Sequence, residues 1–180
     1  YLSEKSKLSP CTFYGISKHI IESYIFEKAK QELQYMVLRP TNVYGRNIEN
    51  INRNQGFIEN SILSIINDET IKLFGDMSNE RDYIYIDDFV KGVFQLICNA
   101  ELNSIFNVGS GHVYSLNDLI NKMSHIFNKK VDISILDKRN FDKKTIKIDI
   151  NSFKELISFK TSDIDQGLKL YLSKIRNINN

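Results

Sequence analysis

With 180 residues, 42% of them hydrophobic and 11% aromatic, the chain carries enough apolar material for one packed core, which excludes a disordered reading. Its 24 Lys and Arg against 22 Asp and Glu leave a formal net charge of +2, too little to point to nucleic acid or an anionic membrane as a partner. No apolar run reaches the roughly 18 to 20 residues needed to span a bilayer, and the opening YLSEKSKLSP has neither the charged start nor the apolar stretch of a signal peptide. That opening is polar and lacks an initiator Met, so the expectation is a chain cut from something longer.

In chain order, Phe13, Ile16, Ile20, Tyr24 and Ile25 fall at helical spacing and predict a helix from near Thr12 to Glu32. Tyr35 to Arg39 reads as a buried strand that Pro40 ends. TNVYGRNIENINRNQG then reads as a long polar connection of the kind that carries function inside a compact domain. A helix is predicted near Phe57 to Asn67, a short strand at Ile71 to Phe74 and a turn at Gly75-Asp76. A strand at Tyr83 to Ile86 runs directly into a helix beginning near Asp87, with Phe89, Val90, Val93, Phe94 and Ile97 as its expected buried face. Ile105 to Val108 forms a further strand ending in Gly109-Ser110-Gly111. Ser115 and Asp118 make a capping box for a helix whose apolar stripe is Leu116, Leu119, Ile120, Met123 and Phe127. This alternation of strand and helix argues for a mostly parallel sheet with covering helices. Val131 to Leu136, Ile146 to Ile150, and helices near Asn151 to Ile157 and Ser162 to Arg176 read as a smaller α/β appendage.

The chemistry is carried by Tyr14-Gly15-Ile16-Ser17-Lys18, which puts a phenol and an ammonium on one face of the first helix. A tyrosine that is to act as a base near neutral pH must have its pKa lowered from about 10 by about 3, which is roughly 4 kcal/mol. A lysine cation about 4 to 5 Å away, at an effective dielectric of about 20, supplies roughly 3 to 4 kcal/mol. Such a pair can take a proton from a hydroxyl, although the same spacing also occurs on ordinary amphipathic helices.

Taken in order, SPCTFYGISK, LRPTNVYGR, IKLFGDMSNERDYIYIDDFV, FNVGSG and DINSFKELISFK resemble the extended short-chain dehydrogenase/reductases, specifically the NAD-dependent epimerase/dehydratase family, over almost the whole chain. The resemblance implies the C-terminal part of a Rossmann-type doubly wound parallel sheet plus a small α/β substrate-binding domain. Residues 1–50 and 82–113 would be the remaining part of the NAD-binding domain, and 51–81 and 114–180 the nucleotide-sugar domain. It implies that Tyr14 is the general acid/base and Lys18 holds the nicotinamide ribose. Pro40 would line the nicotinamide pocket, and Asn42 would contact the substrate diphosphate region, while Tyr44 has a packing role open to it. Arg81 would grip the diphosphate, a task that suits the two-pronged guanidinium. Asp82, Asp87 and Asp88 read as structural, with Asp87 where a helix N-cap would lie. Arg139 and Asp142 resemble a pair that closes over the nucleotide, although Asn140 and Phe141 depart from the family's Arg-Pro-Gly-Asp. NAD is the implied cofactor, a UDP-hexose the implied substrate and a homodimer, paired through the tyrosine-bearing helix, the implied assembly of the full protein.

Other signals fail. Gly109-Ser110-Gly111 is followed by Tyr114 where a dinucleotide fingerprint needs a third small residue. His19, His112 and His125 are scattered without suitable partners, so no metal site is expected. Cys11 and Cys98 form neither a metal-ligand spacing nor a disulfide framework, which makes the cytoplasm the expected compartment. No Gly-x-x-Gly-x-x-Gly follows a strand in these residues, so the cofactor pyrophosphate has no expected seat. The leading expectation is a nucleotide-sugar epimerase working through a transient keto-sugar. A 4,6-dehydratase, a keto-sugar reductase, and an inactive fragment that keeps part of a nucleotide-sugar site stay open.

Overall fold

A computed structural model describes residues 1–46, 56–75, 77–137 and 145–178. The elements run α1 (Phe13–Ala29), β1 (Met36–Pro40), β2 (Asn42–Tyr44), α2 (Phe57–Ile66), β3 (Ile71–Phe74), β4 (Glu80–Tyr85), α3 (Ile86–Asn99), β5 (Ser104–Val108), β6 (Val113–Ser115), α4 (Leu116–Phe127), β7 (Ile133–Leu136), α5 (Asn151–Leu156) and α6 (Ile164–Ile178). The strands form three small sheets, where the alternation of elements had suggested one covered parallel sheet. β1 pairs in parallel with β5, β3 pairs in parallel with β7, and β4 sits between parallel β2 and antiparallel β6.

The middle sheet separates two cores. Successive side chains of a strand point to opposite faces, so Tyr83 and Tyr85 of β4 and Tyr44 of β2 enter one core, while Ile84 and Val43 face the other. The first core also takes Ile58, Ile62 and Ile65 from α2, Leu119, Ile120 and Met123 from α4, and Ile164, Leu168 and Tyr171 from α6. The second gathers Leu96, Phe106, Val108, Ile150 and Phe153. There Gly92 of α3 lets the Phe153 ring approach so closely that an added Cβ would lie 2.5 Å from it.

Pro40 does end β1, as its last residue opposite Val108, where a strand with one open edge tolerates a residue without an N–H. Several other expectations are corrected. Asn42–Tyr44 is a strand, not loop; only Thr41 separates it from β1, and its partner β4 is remote in sequence. Val113–Ser115 forms β6 against β4 for the same reason. Residues 146–150 form no strand among the described residues beyond an isolated bridge between Leu2 and Ile148. The buried residues of α3 are Gly92 and Leu96, and the expected Val90, Phe94 and Ile97 are exposed. That outer stripe is apolar, and among the described residues no other element covers it. Tyr85 caps α3 and Asp87 lies in its first turn.

The α1 helix is capped as its sequence suggests, with Gly15 N–H donating to Thr12 Oγ1 at 3.1 Å. None of its residues is buried, and Phe13 is 94% exposed. Its side chains are tied to β1 and the residue before it: Arg39 Nε donates to Glu22 at 3.1 Å, and the rings of Phe26 and Tyr35 lie 5.4 Å apart.

Candidate active site

Tyr14 and Lys18 occupy successive turns of α1. Lys18 Nζ stands 5.2 Å from the centre of the Tyr14 ring, within reach of a cation–π contact. Gly15 between them is packed tightly, since a Cβ there would lie 3.2 Å from Pro10 Cβ and from Thr12 Oγ1. Tyr14 is 73% exposed, so its phenol faces open space within this chain.

Strand pairing brings Asn42 to Asp82, the residue that follows Arg81. β2 and β4 run in parallel with Asn42 opposite Tyr83, and Asn42 Nδ2 donates to the Asp82 carbonyl at 2.9 Å. Arg81 shares the face of β4 that carries Tyr83, and its Nη1 donates to the Glu80 carbonyl at 2.7 Å. Burial pushes the Tyr83 hydroxyl up to about 12, with the Arg81 cation opposing and the Glu59 carboxylate reinforcing the shift. Pro40 is exposed at the end of β1. No described contact joins Tyr14 and Lys18 to Asn42 and Arg81. Arg139 and Asp142 lie outside the described residues.

Tyr44 packs. It is buried with its ring 5.6 Å from that of Tyr85 and its hydroxyl against Gly167, and burial raises its pKa. Asp87 forms an ion pair with Lys174 of α6 at 2.7 Å, and Asp88 accepts from Ser162 N at 2.7 Å, so both carboxylates hold neighbouring segments.

Asp82 is only 3% exposed, and its carboxylate accepts four hydrogen bonds. Oδ1 takes Thr41 Oγ1 at 3.2 Å, Ser110 N at 3.0 Å and Ser110 Oγ at 2.9 Å, and Oδ2 takes Gly111 N at 2.8 Å. This explains the glycine-rich turn that resembled a phosphate cradle: two of its N–H groups already point at a carboxylate. Gly109 is required there because a Cβ would lie 2.7 Å from Thr41 Cγ2 and 2.9 Å from Asp82 Oδ2. With its N–H groups so engaged, this turn offers no seat to a dinucleotide pyrophosphate.

One feature had not been anticipated. A cleft of about 940 Å³ opens between α2 and β3, bordered by Gly56, Phe57, Asn60, Ser61, Lys72 and Phe74 among others. Asn60 Oδ1 and Ser61 Oγ, on its α2 wall, are buried without a partner among the described residues. The signal in the sequence is the polar set Asn60, Ser61 and Ser64 which, with Glu59, interrupts the apolar residues of FIENSILSII. Among the described residues no group of His, Cys, Asp and Glu is arranged to hold a metal ion, and no helix is long and apolar enough to cross a membrane.

Comparison with known proteins identifies the family. Residues 2–109 match the model of the NAD dependent epimerase/dehydratase family. A dTDP-4-dehydro-6-deoxyglucose reductase of Escherichia coli is 34% identical across 97% of this chain, which spans 55% of that relative. The solved UDP-glucose 4-epimerase of Thermotoga maritima, with UDP-glucose, superposes with a TM-score of 0.88 at 26% identity, covering 99% of this chain and 58% of its own. A UDP-N-acetylglucosamine 4-epimerase from Methanobrevibacter ruminantium M1, in complex with UDP-N-acetylmuramic acid, gives 0.82 at 28% identity, with 94% and 55% covered. The chain thus spans little more than half the length of these relatives. By its ordered motifs, its fold and the match over residues 2–109, it belongs to the NAD dependent epimerase/dehydratase family.

Proposed function

We propose that this chain carries the substrate-binding part of an NAD-dependent nucleotide-sugar epimerase acting on a UDP-hexose. The observation that carries the reading is the pairing of Tyr14 with Lys18 on one face of α1, the ammonium 5.2 Å from the ring centre. In this reading Tyr14 exchanges a proton with the sugar hydroxyl, and Lys18 holds the cofactor ribose beside Pro40. Asn42 and Arg81 receive the diphosphate, helped by Arg139 and Asp142, and the cleft along α2 is the room available to the nucleotide end. NAD, when bound, supplies the hydride acceptor. Residues 1–50 and 82–113 then belong to the dinucleotide-binding domain, and 51–81 with 114–180 to the nucleotide-sugar domain. The apolar, uncovered side of α1 suits a homodimer of the full protein.

The 34% identity to a reductase favours a second reading, in which the same pair delivers a proton to a keto-sugar. As it stands, the isolated chain is expected to bind a nucleotide sugar without turning it over. The two activities separate in a protein that contains this chain together with a dinucleotide-binding half. Such a protein is incubated with NAD and UDP-glucose, or with NADH and a 4-keto-sugar nucleotide, and the products are read by NMR. Epimerisation that collapses with Tyr14→Phe supports the first reading; reduction alone supports the second. Wild-type turnover by Tyr14→Phe on every accepted sugar nucleotide would sink both.

A further inference from the structure

We infer that Asp82 is a positioning residue that sets the spacing between Asn42 and Arg81, a role that rests on the reading of those two residues as the diphosphate grip. A buried carboxylate is costly unless its oxygens are hydrogen-bonded. Asp82 meets that condition with four donors drawn from two separate turns: Thr41 between β1 and β2, and Ser110 with Gly111 between β5 and β6. Its own backbone carbonyl takes the Asn42 amide. One residue of β4 thereby holds two successive residues where β2 begins: Thr41 through the carboxylate and Asn42 through the main-chain carbonyl.

Arg81 precedes Asp82 and points to the opposite face of β4. Anything that lets Asp82 shift must alter the offset between the Asn42 amide and the Arg81 guanidinium. An amide in place of the carboxylate cannot reproduce the arrangement, because its NH2 would confront the Gly111 N–H. Bonds to a charged acceptor are directional and short, which makes such a clamp geometrically demanding.

The test measures the affinity of the full chain for UDP and for uridine, by NMR titration, in wild type, Asp82→Asn, Thr41→Val and Thr41→Ser. UDP affinity should fall about tenfold in Asp82→Asn and severalfold in Thr41→Val, as expected when binding groups lose their alignment. Uridine affinity should stay put, and Thr41→Ser, which keeps the hydroxyl, should restore the wild-type value for UDP. If Asp82→Asn does not fold, the threonine pair decides. Equal weakening of UDP and uridine would mean a merely structural residue and overturn the inference, as would unchanged UDP affinity in both folded variants. A wild-type chain that binds UDP no better than uridine would overturn the diphosphate reading, and the positioning role with it.

Discussion

The two sides of the β2–β4–β6 sheet are finished to different degrees. On one side α2, α4 and α6 close around Ile58, Ile62, Leu119, Met123 and Leu168, all buried. On the other, the small Leu96–Phe106–Phe153 core lies beside helices whose outer apolar residues are exposed: Phe13, Ile20 and Tyr24 on α1, and Val90, Phe94 and Ile97 on α3. The first region supplies its own hydrophobic stabilisation, whereas the second holds apolar area in reserve for a covering element. Large exposed apolar patches of that kind mark interaction surfaces. The Tyr14–Lys18 pair sits on the open side, on a helix with no buried residue.

The contrast can be broken most directly by truncating equivalent apolar residues on both sides. Leu119→Ala, at a position with no exposed surface, should cost about 2 to 5 kcal/mol in urea unfolding. Next, Gly167→Ala drives a methyl into the Tyr44 hydroxyl where α6 meets the sheet, and overpacking of this sort costs about 1 to 3 kcal/mol; a melting temperature at or above wild type would show that α6 docks loosely.

Ser115→Ala removes the cap of α4 and should cost about 1 kcal/mol. Hydrogen bonds from the Ser115 side chain and N–H hold the Asp118 carboxyl below its ordinary value. A carboxylate depressed in the folded state stabilises above its unfolded pKa and loses that contribution as pH falls through the folded one. The gap between wild type and Ser115→Ala should therefore shrink below about pH 4, and a constant gap would exclude the linkage. Smallest of all, Phe13→Ala on the open side should change stability by less than about 0.5 kcal/mol in this chain. A loss matching that of Leu119→Ala would mean that α1 is covered after all.

Much of the closed side was legible in the residues. The stripe of α4 and its capping box follow from the Ser115–Asp118 spacing and helical periodicity, and the structure buries Leu119, Ile120 and Met123 as that pattern demands. The open side misled the same reasoning. Val90, Phe94 and Ile97 satisfy helical periodicity as well as any core residue, yet periodicity reports which face is apolar and says nothing of whether a partner covers it. At the candidate site, the Tyr14–Lys18 adjacency is a local helical fact and could be read directly. The cleft beside Asn60 and Ser61 could not, because it forms only where α2 meets β3.

What the sequence determined by itself is the helix that pairs Tyr14 with Lys18, the capped α4 and the family, since each depends on residues close together or on motifs in order. Tertiary structure alone decided that Asn42 begins a strand, that its amide bonds the Asp82 carbonyl, and that Asp82 takes the N–H groups of Ser110 and Gly111. Those contacts join residues 28 to 41 positions apart, and a strand of three residues has no local signal strong enough to announce its distant partner.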